Sequence, residues 1–281
     1  MMTSADQVLT LQSADQPGIV HRITGAIVEC GGNITELQQF SSTDTLRFFT
    51  RIQVTGARGL TDAAAALAEE LDAEVSVDQV GRPMRTLILA SKAGHCLNQL
   101  LYRQQTGQLP IEVTGVLANH PDLAEMAGFY GVDFRHQPIP TPEDKDVFEA
   151  LVREAVAERD VELVVLARYM QIVSPQLCEE LAGRAINIHH SFLPGFKGAN
   201  PYRQAHARGV KVIGATAHFV TPDLDEGPII EQNVQPVTHQ HTWQDLRSVG
   251  EDVESRTVTE AVRLYAQHRV FLDGNRTVIF P

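Results

Sequence analysis

The chain has 281 residues, of which 43% are hydrophobic, enough for one large or two ordinary globular domains with packed interiors. Its 35 acidic residues outnumber its 23 lysines and arginines, which gives a formal net charge of −12. Nucleic acids and anionic membranes are polyanions, so this charge opposes both as partners and favours small-molecule chemistry.

The amino-terminal residues and the cysteines indicate the cellular compartment. Met1 to Asp6 contain no positively charged segment ahead of an apolar one, and no run approaches the roughly 18 apolar residues of a membrane span. The three cysteines, Cys30, Cys96 and Cys178, are far apart, which favours reduced core thiols over disulfides or a zinc site. We therefore expect a soluble cytoplasmic protein.

The pattern of residues 1–80 predicts four strands and two helices. The predicted strands cover 6–12, 33–42, 46–54 and 74–77, and the predicted helices begin near 19 and 61. Ile19, Ile23 and Ile27 recur every four residues and should form one buried helical stripe, whereas alternation places Leu46 and Phe48 on one face of a strand. The order β-α-β-β-α-β is that of a ferredoxin-like domain.

Two short segments in this region resemble the ACT domain family. They are Asp15-Gln16-Pro17-Gly18-Ile19-Val20 and Gly31-Gly32-Asn33-Ile34. ACT domains usually pair through their sheets or helices, and many bind a free amino acid beside this Pro-Gly turn. The resemblance implies a homo-oligomer and an effector site for an amino acid such as glycine or methionine, formed by Asp15, Gly18, Asn33 and Ile34. Alternatively, the turn only starts a helix and the domain only dimerises.

After a linker at 81–84, residues 85–281 are expected to form a second domain in which strands alternate with long helices. Its strands are predicted at 86–90, 113–118, 163–167 and 185–188, and its helices at 97–104, 121–130, 142–157 and 175–181. This alternation predicts right-handed crossovers and a Rossmann-like, mostly parallel sheet covered on both faces. The fold class is therefore α/β, with any ligand beyond the carboxyl ends of the strands.

Polar side chains follow the last of these strands. Asn187 and His189 are two residues apart and should share a face of the strand, whereas His190 is expected to face the other way. Leu193-Pro194-Gly195 then forces a loop, and Asp225 lies in a separate Pro- and Gly-rich loop. If the fold brings them together, an amide, an imidazole and a carboxylate can polarise a carbonyl and move protons. Otherwise His189 is a structural histidine and Asp225 a turn carboxylate.

Residues 85–281 resemble the folate-dependent formyltransferase family. The matching segments are Asn187-Ile188-His189, Ser191-Phe192-Leu193-Pro194, Phe196-Lys197-Gly198, His218-Phe219-Val220-Thr221, and Asp225 with Gly227-Pro228. The resemblance implies a catalytic trio of Asn187, His189 and Asp225. It also implies that a folate substrate binds along two segments, at Met170, Gln171, Ile172, Thr221 and Leu224. Gln171 stands where the amine-using members often carry arginine, so that contact is left open.

The loop after the first strand of the second domain bears on the acceptor of the formyl group. Family members that use a ribonucleotide amine hold its phosphate with a Gly- and Ser-rich loop, but this chain has Ser91-Lys92-Ala93-Gly94-His95-Cys96-Leu97. His95 and Cys96 add bulk where the phosphate would lie. This departure, the ACT-like domain and the closing segment 271–280 imply water as the acceptor. The expected reaction is cofactor-free hydrolysis of 10-formyltetrahydrofolate, supplying formate for purine biosynthesis and balancing one-carbon pools.

In the mechanism implied by this resemblance, Asp225 orients and deprotonates the attacking water. His189, protonated beside that carboxylate, and the Asn187 amide donate hydrogen bonds to the developing oxyanion. No metal is expected, since no His-Glu-x-x-His or Cys-x-x-Cys spacing exists. Two alternatives remain: a formyltransferase with an amine acceptor, like glycinamide ribonucleotide transformylase, and a non-catalytic folate or amino-acid sensor.

Overall fold

The computed structural model describes residues 6–193 and 201–281. The predicted loop at Pro194-Gly195 and the motif Phe196-Lys197-Gly198 lie outside the described residues. Backbone contacts divide the chain into two units, Met1–Arg82 with Leu264–Pro281, and Pro83–Arg263. Within the described ranges, no helix combines the length and the apolar character needed to cross a membrane.

The first unit contains the predicted β-α-β-β-α-β arrangement. Its elements are β1 (Gln7–Ala14), α1 (Ile19–Glu29), β2 (Asn33–Ser42), β3 (Arg47–Thr55), α2 (Leu60–Leu71) and β4 (Glu74–Gln79). The four strands form one antiparallel sheet in the order β2-β3-β1-β4. The ferredoxin-like fold predicted for this part of the chain is therefore confirmed.

The core of this unit follows from the spacing of apolar residues. Ile19, Ile23 and Ile27 are buried on one face of α1 and belong to a cluster that also includes Phe48 of β3. Leu46 differs from the prediction, because it precedes β3 in a turn with φ of 54° and is 70% exposed. The strand alternation could not apply to it, since the strand begins one residue later.

A carboxyl-terminal hairpin completes the first unit. It consists of β12 (Val270–Asp273) and β13 (Arg276–Ile279), numbered after the strands of the second unit. Phe271 packs edge-on against Phe49, with ring centroids 5.9 Å apart, and the Ser42 hydroxyl donates to the Asp273 carboxylate at 2.8 Å. The division by contacts thus differs from the predicted range 85–281, because these contacts join the end of the chain to β2 and β3.

The second unit is a seven-stranded sheet with helices between its strands. Its elements are β5 (Met84–Ala90), α3 (His95–Gln105), β6 (Ile111–Ala118), α4 (Ala124–Phe129), β7 (Phe134–His136), α5 (Pro142–Glu158), β8 (Leu163–Ala167), α6 (Pro175–Glu180), β9 (Ala185–His189), α7 (Pro201–Arg208), β10 (Val212–Phe219), β11 (Ile229–Pro236) and α8 (Trp243–Ala266), whose residues from Leu264 onward belong to the first unit. The strand order is β11-β10-β9-β8-β5-β6-β7. The five neighbouring strands β9, β8, β5, β6 and β7 run parallel to one another, which confirms the predicted mostly parallel sheet.

Two strands that the sequence pattern did not predict extend this sheet beyond β9. Strand β10 pairs antiparallel with β9, and β11 pairs antiparallel with β10. In the β9–β10 register, His218 lies opposite Asn187 and Thr216 lies opposite His189. Directly opposed residues of an antiparallel pair project to the same face, so β10 brings a second histidine to the predicted trio.

Replacing Phe49 with alanine should destabilise the first unit. Phe49 is fully buried and contacts Phe271, so truncation removes buried apolar surface and leaves a cavity. The expected loss is about 3–5 kcal/mol of unfolding free energy, measured by chemical denaturation. Phe129→Ala is the matched control because Phe129 is 78% exposed, and an equal effect of both substitutions would contradict this packing.

Candidate active site

Asn187, His189 and Asp225 meet at the carboxyl end of β9. The Nδ1 atom of His189 lies 3.1 Å from Oδ1 of Asp225. The amide nitrogen of Asn187 lies 3.2 Å from Nε2 of His218, and that same Nε2 is 3.7 Å from Oδ1 of Asp225. The structure thus joins the predicted trio through His218 into a cluster of two imidazoles, one amide and one carboxylate.

His218 is a residue of this cluster to which the sequence reasoning gave no role. Its Nδ1 lies 2.8 Å from the carbonyl oxygen of Phe219, so Nδ1–H donates to that carbonyl. Nε2 then accepts a hydrogen bond from the Asn187 amide, which fixes the direction of that amide. Polar Thr216 and His218 alternate with apolar Ala217 and Phe219 in β10, and all four are buried. That alternation was the available signal.

The loop after β10 places Asp225 against His189. Asp225 has φ of 58°, a left-handed conformation that aspartate adopts more readily than most residues. A Cβ atom on Gly227 would lie 1.8 Å from the carbonyl oxygen of Phe219, so only glycine fits at this position. The Phe219 amide donates to the Pro228 carbonyl at 2.9 Å. The close approach of Gly227 therefore turns the chain back toward the end of β9.

Asp225 is an ionised carboxylate in this environment. The hydrogen bond from His189, followed by the nearby His218, holds its pKa well below the usual range, although partial burial acts in the opposite direction. The ion pair also fixes the orientation of the His189 ring, because Nδ1 faces the carboxylate. Nε2 of His189 remains as the nitrogen that can exchange a proton with a ligand.

A cavity of about 220 Å³ opens beside the cluster. It is lined by all three trio residues and by the two predicted folate-binding segments, named here the pterin segments. The five predicted folate-binding residues in its lining are Met170, Gln171, Ile172, Thr221 and Leu224. Met170, Ile172 and Leu224 are 58%, 63% and 61% exposed. Three exposed apolar side chains around one cleft provide a surface for a flat aromatic ligand.

His190 does not face away from the site, contrary to the prediction. The strand β9 ends at His189, so the two-residue alternation no longer applies to the next position. The rings of His189 and His190 are stacked, with centroids 5.0 Å apart and an interplanar angle of 22°. Arg168 donates from Nη1 to Nδ1 of His190 at 2.7 Å. Burial, with the charge of Arg168, lowers the pKa of His190 to about 4.

A buried carboxylate from α8 lies behind this pair. Glu254 accepts hydrogen bonds from Nε2 of His95 at 2.7 Å and from the Tyr202 hydroxyl at 2.5 Å. Nε of Arg168 lies 3.3 Å from Oε2, as an ion pair without good hydrogen-bond alignment. Burial acts to raise the pKa of Glu254, but the His95 bond, the Arg168 charge and the Tyr202 bond together hold it below its usual value.

His95, Cys96 and Glu254 form the single group of metal-ligating side chains found within the described part of the chain. Their ligand atoms are already engaged in other ways. Glu254 and His95 bond each other, and burial raises the pKa of the Cys96 thiol well above its usual value. The positive charge of Arg168 beside Glu254 further disfavours a cation. The chemistry of this donor set therefore fits a hydrogen-bonded core better than a metal site.

The loop predicted to set the acceptor is held by its neighbours. Ser91 donates from its hydroxyl to Asn119 at 2.7 Å and accepts from the backbone N–H of Met170 at 3.0 Å. A Cβ atom on Gly94 would lie 2.7 Å from the terminal methyl of Met126. Cys96 is fully buried and adds no bulk at the surface, in contrast to the prediction, whereas His95 is half-buried and lines a separate cavity between α3 and α8.

The predicted effector residues lie in the first unit. Asp15 and Gly18 belong to the turn between β1 and α1, where Gly18 has φ of 93° and precedes the first residue of the helix. Asn33 and Ile34 form the start of β2, with Asn33 exposed and Ile34 half-buried.

Sequence models of known families match both units. The formyl transferase model matches residues 84–262, and the ACT domain model matches residues 7–72. The first match covers more than half of the chain and contains all three trio residues. The chain therefore belongs to the formyl transferase family and carries an ACT domain.

Relatives that are similar over the whole chain are formyltetrahydrofolate deformylases. That of Corynebacterium sp. (strain P-1) is 46% identical over 285 residues, covering 99% of each chain. That of Bacillus subtilis (strain 168) is 39% identical, covering 97% of this chain and 93% of the relative.

Solved structures show the same distinction between full-length and partial similarity. The formyltetrahydrofolate deformylase of Burkholderia mallei ATCC 23344 superposes with a TM-score of 0.95 at 46% identity, covering 99% of this chain and 100% of that chain. Glycinamide ribonucleotide transformylase 1 of Symbiobacterium toebii has a TM-score of 0.65 at 36% identity and covers 71% of this chain and 95% of that chain. The full-length similarity is therefore to proteins named as deformylases.

Replacing Asp225 with asparagine should reduce stability in a pH-dependent way. Because the folded-state pKa is lowered, the ionised carboxylate stabilises the fold above the unfolded pKa of about 3.9. This stabilisation is lost as the pH falls through the folded pKa. The gap in unfolding free energy between wild type and Asp225→Asn should therefore narrow below about pH 4, measured by chemical denaturation. Asp146→Asn, at an exposed position, is the control, and a gap independent of pH would contradict this ion pair.

Proposed function

We propose that the chain hydrolyses 10-formyltetrahydrofolate to formate and tetrahydrofolate. The observation that carries this proposal is the cluster of Asn187, His189, His218 and Asp225 beside a cavity lined by both predicted pterin segments. The full-length similarity to formyltetrahydrofolate deformylases supports it. No cofactor is needed in this scheme, because the substrate itself carries the formyl group. The formate would supply purine biosynthesis and balance one-carbon pools.

In the proposed reaction Asp225 orients the attacking water. An ionised carboxylate accepts a hydrogen bond from water and raises the electron density on its oxygen. Because the pKa of Asp225 lies well below the usual range, the proton that water loses cannot stay on this carboxylate at neutral pH. It has to pass to His189, whose ring contacts Asp225, or to solvent. This refines the sequence-based role, in which Asp225 itself was the base.

Asn187 and His189 would stabilise the oxyanion that forms when water adds to the formyl carbon. The Asn187 amide has two N–H donors, and His218 accepts only one of them. The second donor is available to the formyl oxygen, together with a protonated Nε2 of His189. Collapse of the tetrahedral intermediate breaks the bond from carbon to N10, which leaves as an amine after taking the proton that water gave to Nε2 of His189. Formate is released as the anion, and one proton goes to solvent.

Water as the acceptor is supported by the charge behind the loop after β5. A ribonucleotide amine would bring a phosphate dianion to this loop, and helix N-termini can hold such a group. Here Glu254 is ionised and directly bonded to His95, the first residue of α3. A buried negative charge repels a phosphate, and His95 is already engaged. Water needs no such binding site.

The decisive assay supplies 10-formyltetrahydrofolate alone and follows formate. We expect formate release without an added amine, at a rate that added glycinamide ribonucleotide does not increase. Release only in the presence of the amine would identify a transferase, the runner-up that the transformylase structures favour. Binding of the folate without turnover under either condition would identify a sensor. Either result would refute the proposed hydrolysis.

Variants of the trio extend this assay. Asn187→Ala should lower kcat by roughly 100- to 1,000-fold, the usual cost of one oxyanion donor. Asp225→Asn should lower it further, because it loses the charge that orients both water and His189. Asparagine tolerates positive φ, so the loop should keep its conformation. Asn275→Ala and Asp146→Asn, at exposed positions, are the controls. Near-native turnover by either site variant, with a normal fold, would contradict the assignment.

For the first unit we propose an amino-acid effector such as glycine or methionine, and pairing of the ACT domains into a homo-oligomer. The ACT match and the exposed turn at Asp15 and Gly18 support this. Addition of glycine or methionine should change the rate of formate release by the wild type. Asn33→Ala should need a higher concentration of the same amino acid for the same change in rate. Asn98→Ala, another exposed asparagine, serves as the control. The effector site would be refuted if the wild type and both variants responded equally to the amino acid. It would be refuted equally if none of the three proteins responded.

A further inference from the structure

We propose that His190 is a positioning residue for His189, held in that role by Arg168 and Glu254. The proposal rests on the proposed hydrolysis, because it concerns the same site and the same assay. It assigns a function to three residues that lie outside the predicted trio. The chain of contacts runs from Glu254 on α8, through Arg168 after β8, to the two stacked imidazoles at the end of β9.

The first step concerns the ring of His189. Its edge is held by Asp225, whose Oδ1 lies 3.1 Å from Nδ1. Its face is covered by the ring of His190, with centroids 5.0 Å apart and a small interplanar angle of 22°. An edge contact alone leaves the ring free to swing about the hydrogen bond. The stacked face removes that freedom, so the two contacts together fix where Nε2 of His189 points.

The second step concerns the charge of His190. Arginine has only donors, so its hydrogen bond at 2.7 Å requires Nδ1 of His190 to be unprotonated. Burial and the adjacent Arg168 and His189 favour the neutral ring, against the weaker opposite influence of Glu254 and Asp225. When His189 takes up a proton during the reaction, its stacked neighbour therefore adds no second positive charge. A charged His190 would oppose that proton by direct repulsion.

The third step concerns what holds Arg168. It directly follows β8 and has φ of 62°, a left-handed conformation that persists in a non-glycine residue when surrounding contacts support it. Its Nε lies 3.3 Å from Glu254, whose side chain is 1% exposed. Glu254 is itself fixed by His95 and Tyr202. Arg168 also precedes Tyr169 and Met170, so the same contacts support the start of the predicted pterin segment.

The test uses the full-length chain with 10-formyltetrahydrofolate as substrate. His190→Ala should lower kcat by about 10- to 100-fold while KM stays within about twofold, because misplacement of a reacting group by an ångström costs about that much. His190→Phe retains a stacking ring and should recover most of the loss. His136→Ala, at an exposed position in the same unit, should match the wild type in kcat and KM.

A pH profile adds a readout that a purely structural role would not move. Arg168→Met removes a cation that lowers the pKa of His190, so His190 becomes protonated at higher pH. The acid limb of kcat should therefore shift to higher pH in Arg168→Met and should stay at the wild-type position in Arg168→Lys. If the acid limb of kcat stays at the wild-type pH in Arg168→Met as well as in Arg168→Lys, the proposal that Arg168 keeps His190 neutral is overturned.

The outcomes separate this proposal from the proposed function. If the wild type releases no formate, the hydrolytic function fails, whatever the variants do. If the wild type is active and His190→Ala is folded but keeps its kcat, the positioning role is overturned. A lower melting temperature with unchanged kcat would overturn it equally, as the mark of a structural role. If His190→Ala does not fold, Arg168→Met decides, and an acid limb of kcat at the wild-type pH in the folded Arg168→Met protein would overturn it.

Discussion

The antiparallel pairing of β10 with β9 is the constraint on which the site depends. Its register sets His218 opposite Asn187, and the loop that follows β10 returns to His189 only because Gly227 lies against the carbonyl of Phe219. Asp225 then reaches His189 from the far end of that loop. A side chain at position 227 would collide with the backbone and displace this loop. The backbone geometry of one strand and one glycine therefore brings together groups from distant parts of the sequence.

Two carboxylates remain ionised around the histidine pair for different reasons. Asp225 is partly exposed and receives a hydrogen bond from one imidazole, that of His189, so it can exchange contacts with a substrate or a water molecule. Glu254 is buried, and its partners His95, Tyr202 and Arg168 leave it little freedom. Its charge can act only through those partners. In the proposed reaction Asp225 contacts the reacting water directly. Glu254 does not contact it, and instead holds Arg168 in place and disfavours phosphate.

Much of the fold could be predicted from the sequence where periodicity was strong. The stripe of Ile19, Ile23 and Ile27 and the parallel strands β5, β6, β8 and β9 followed from the sequence pattern, whereas the three-residue strand β7 was not predicted. Strand β10 was missed because Gly214, Ala215 and Ala217 are small residues with weak strand preference. The carboxyl-terminal hairpin was assigned to the second domain because it follows that domain in the sequence. Its contacts with the first unit, such as Phe49 with Phe271, join residues far apart in sequence and leave no local pattern.

Only those features of the site that depend on the geometry of a single strand could be predicted from the sequence. The two-residue spacing of Asn187 and His189 placed both on one face, but the same rule failed for His190, since a strand period has no meaning past the last strand residue. The contacts of His95 and Arg168 with Glu254 leave no pattern in the sequence. The three residues come from separate parts of the chain and meet only in the fold, at one buried charge. Such a charge must be matched by partners wherever the fold supplies them. In the proposed hydrolysis, the choice of acceptor follows from the same buried charge, because ionised Glu254, bonded to His95 at the start of α3, disfavours a phosphate beside that helix.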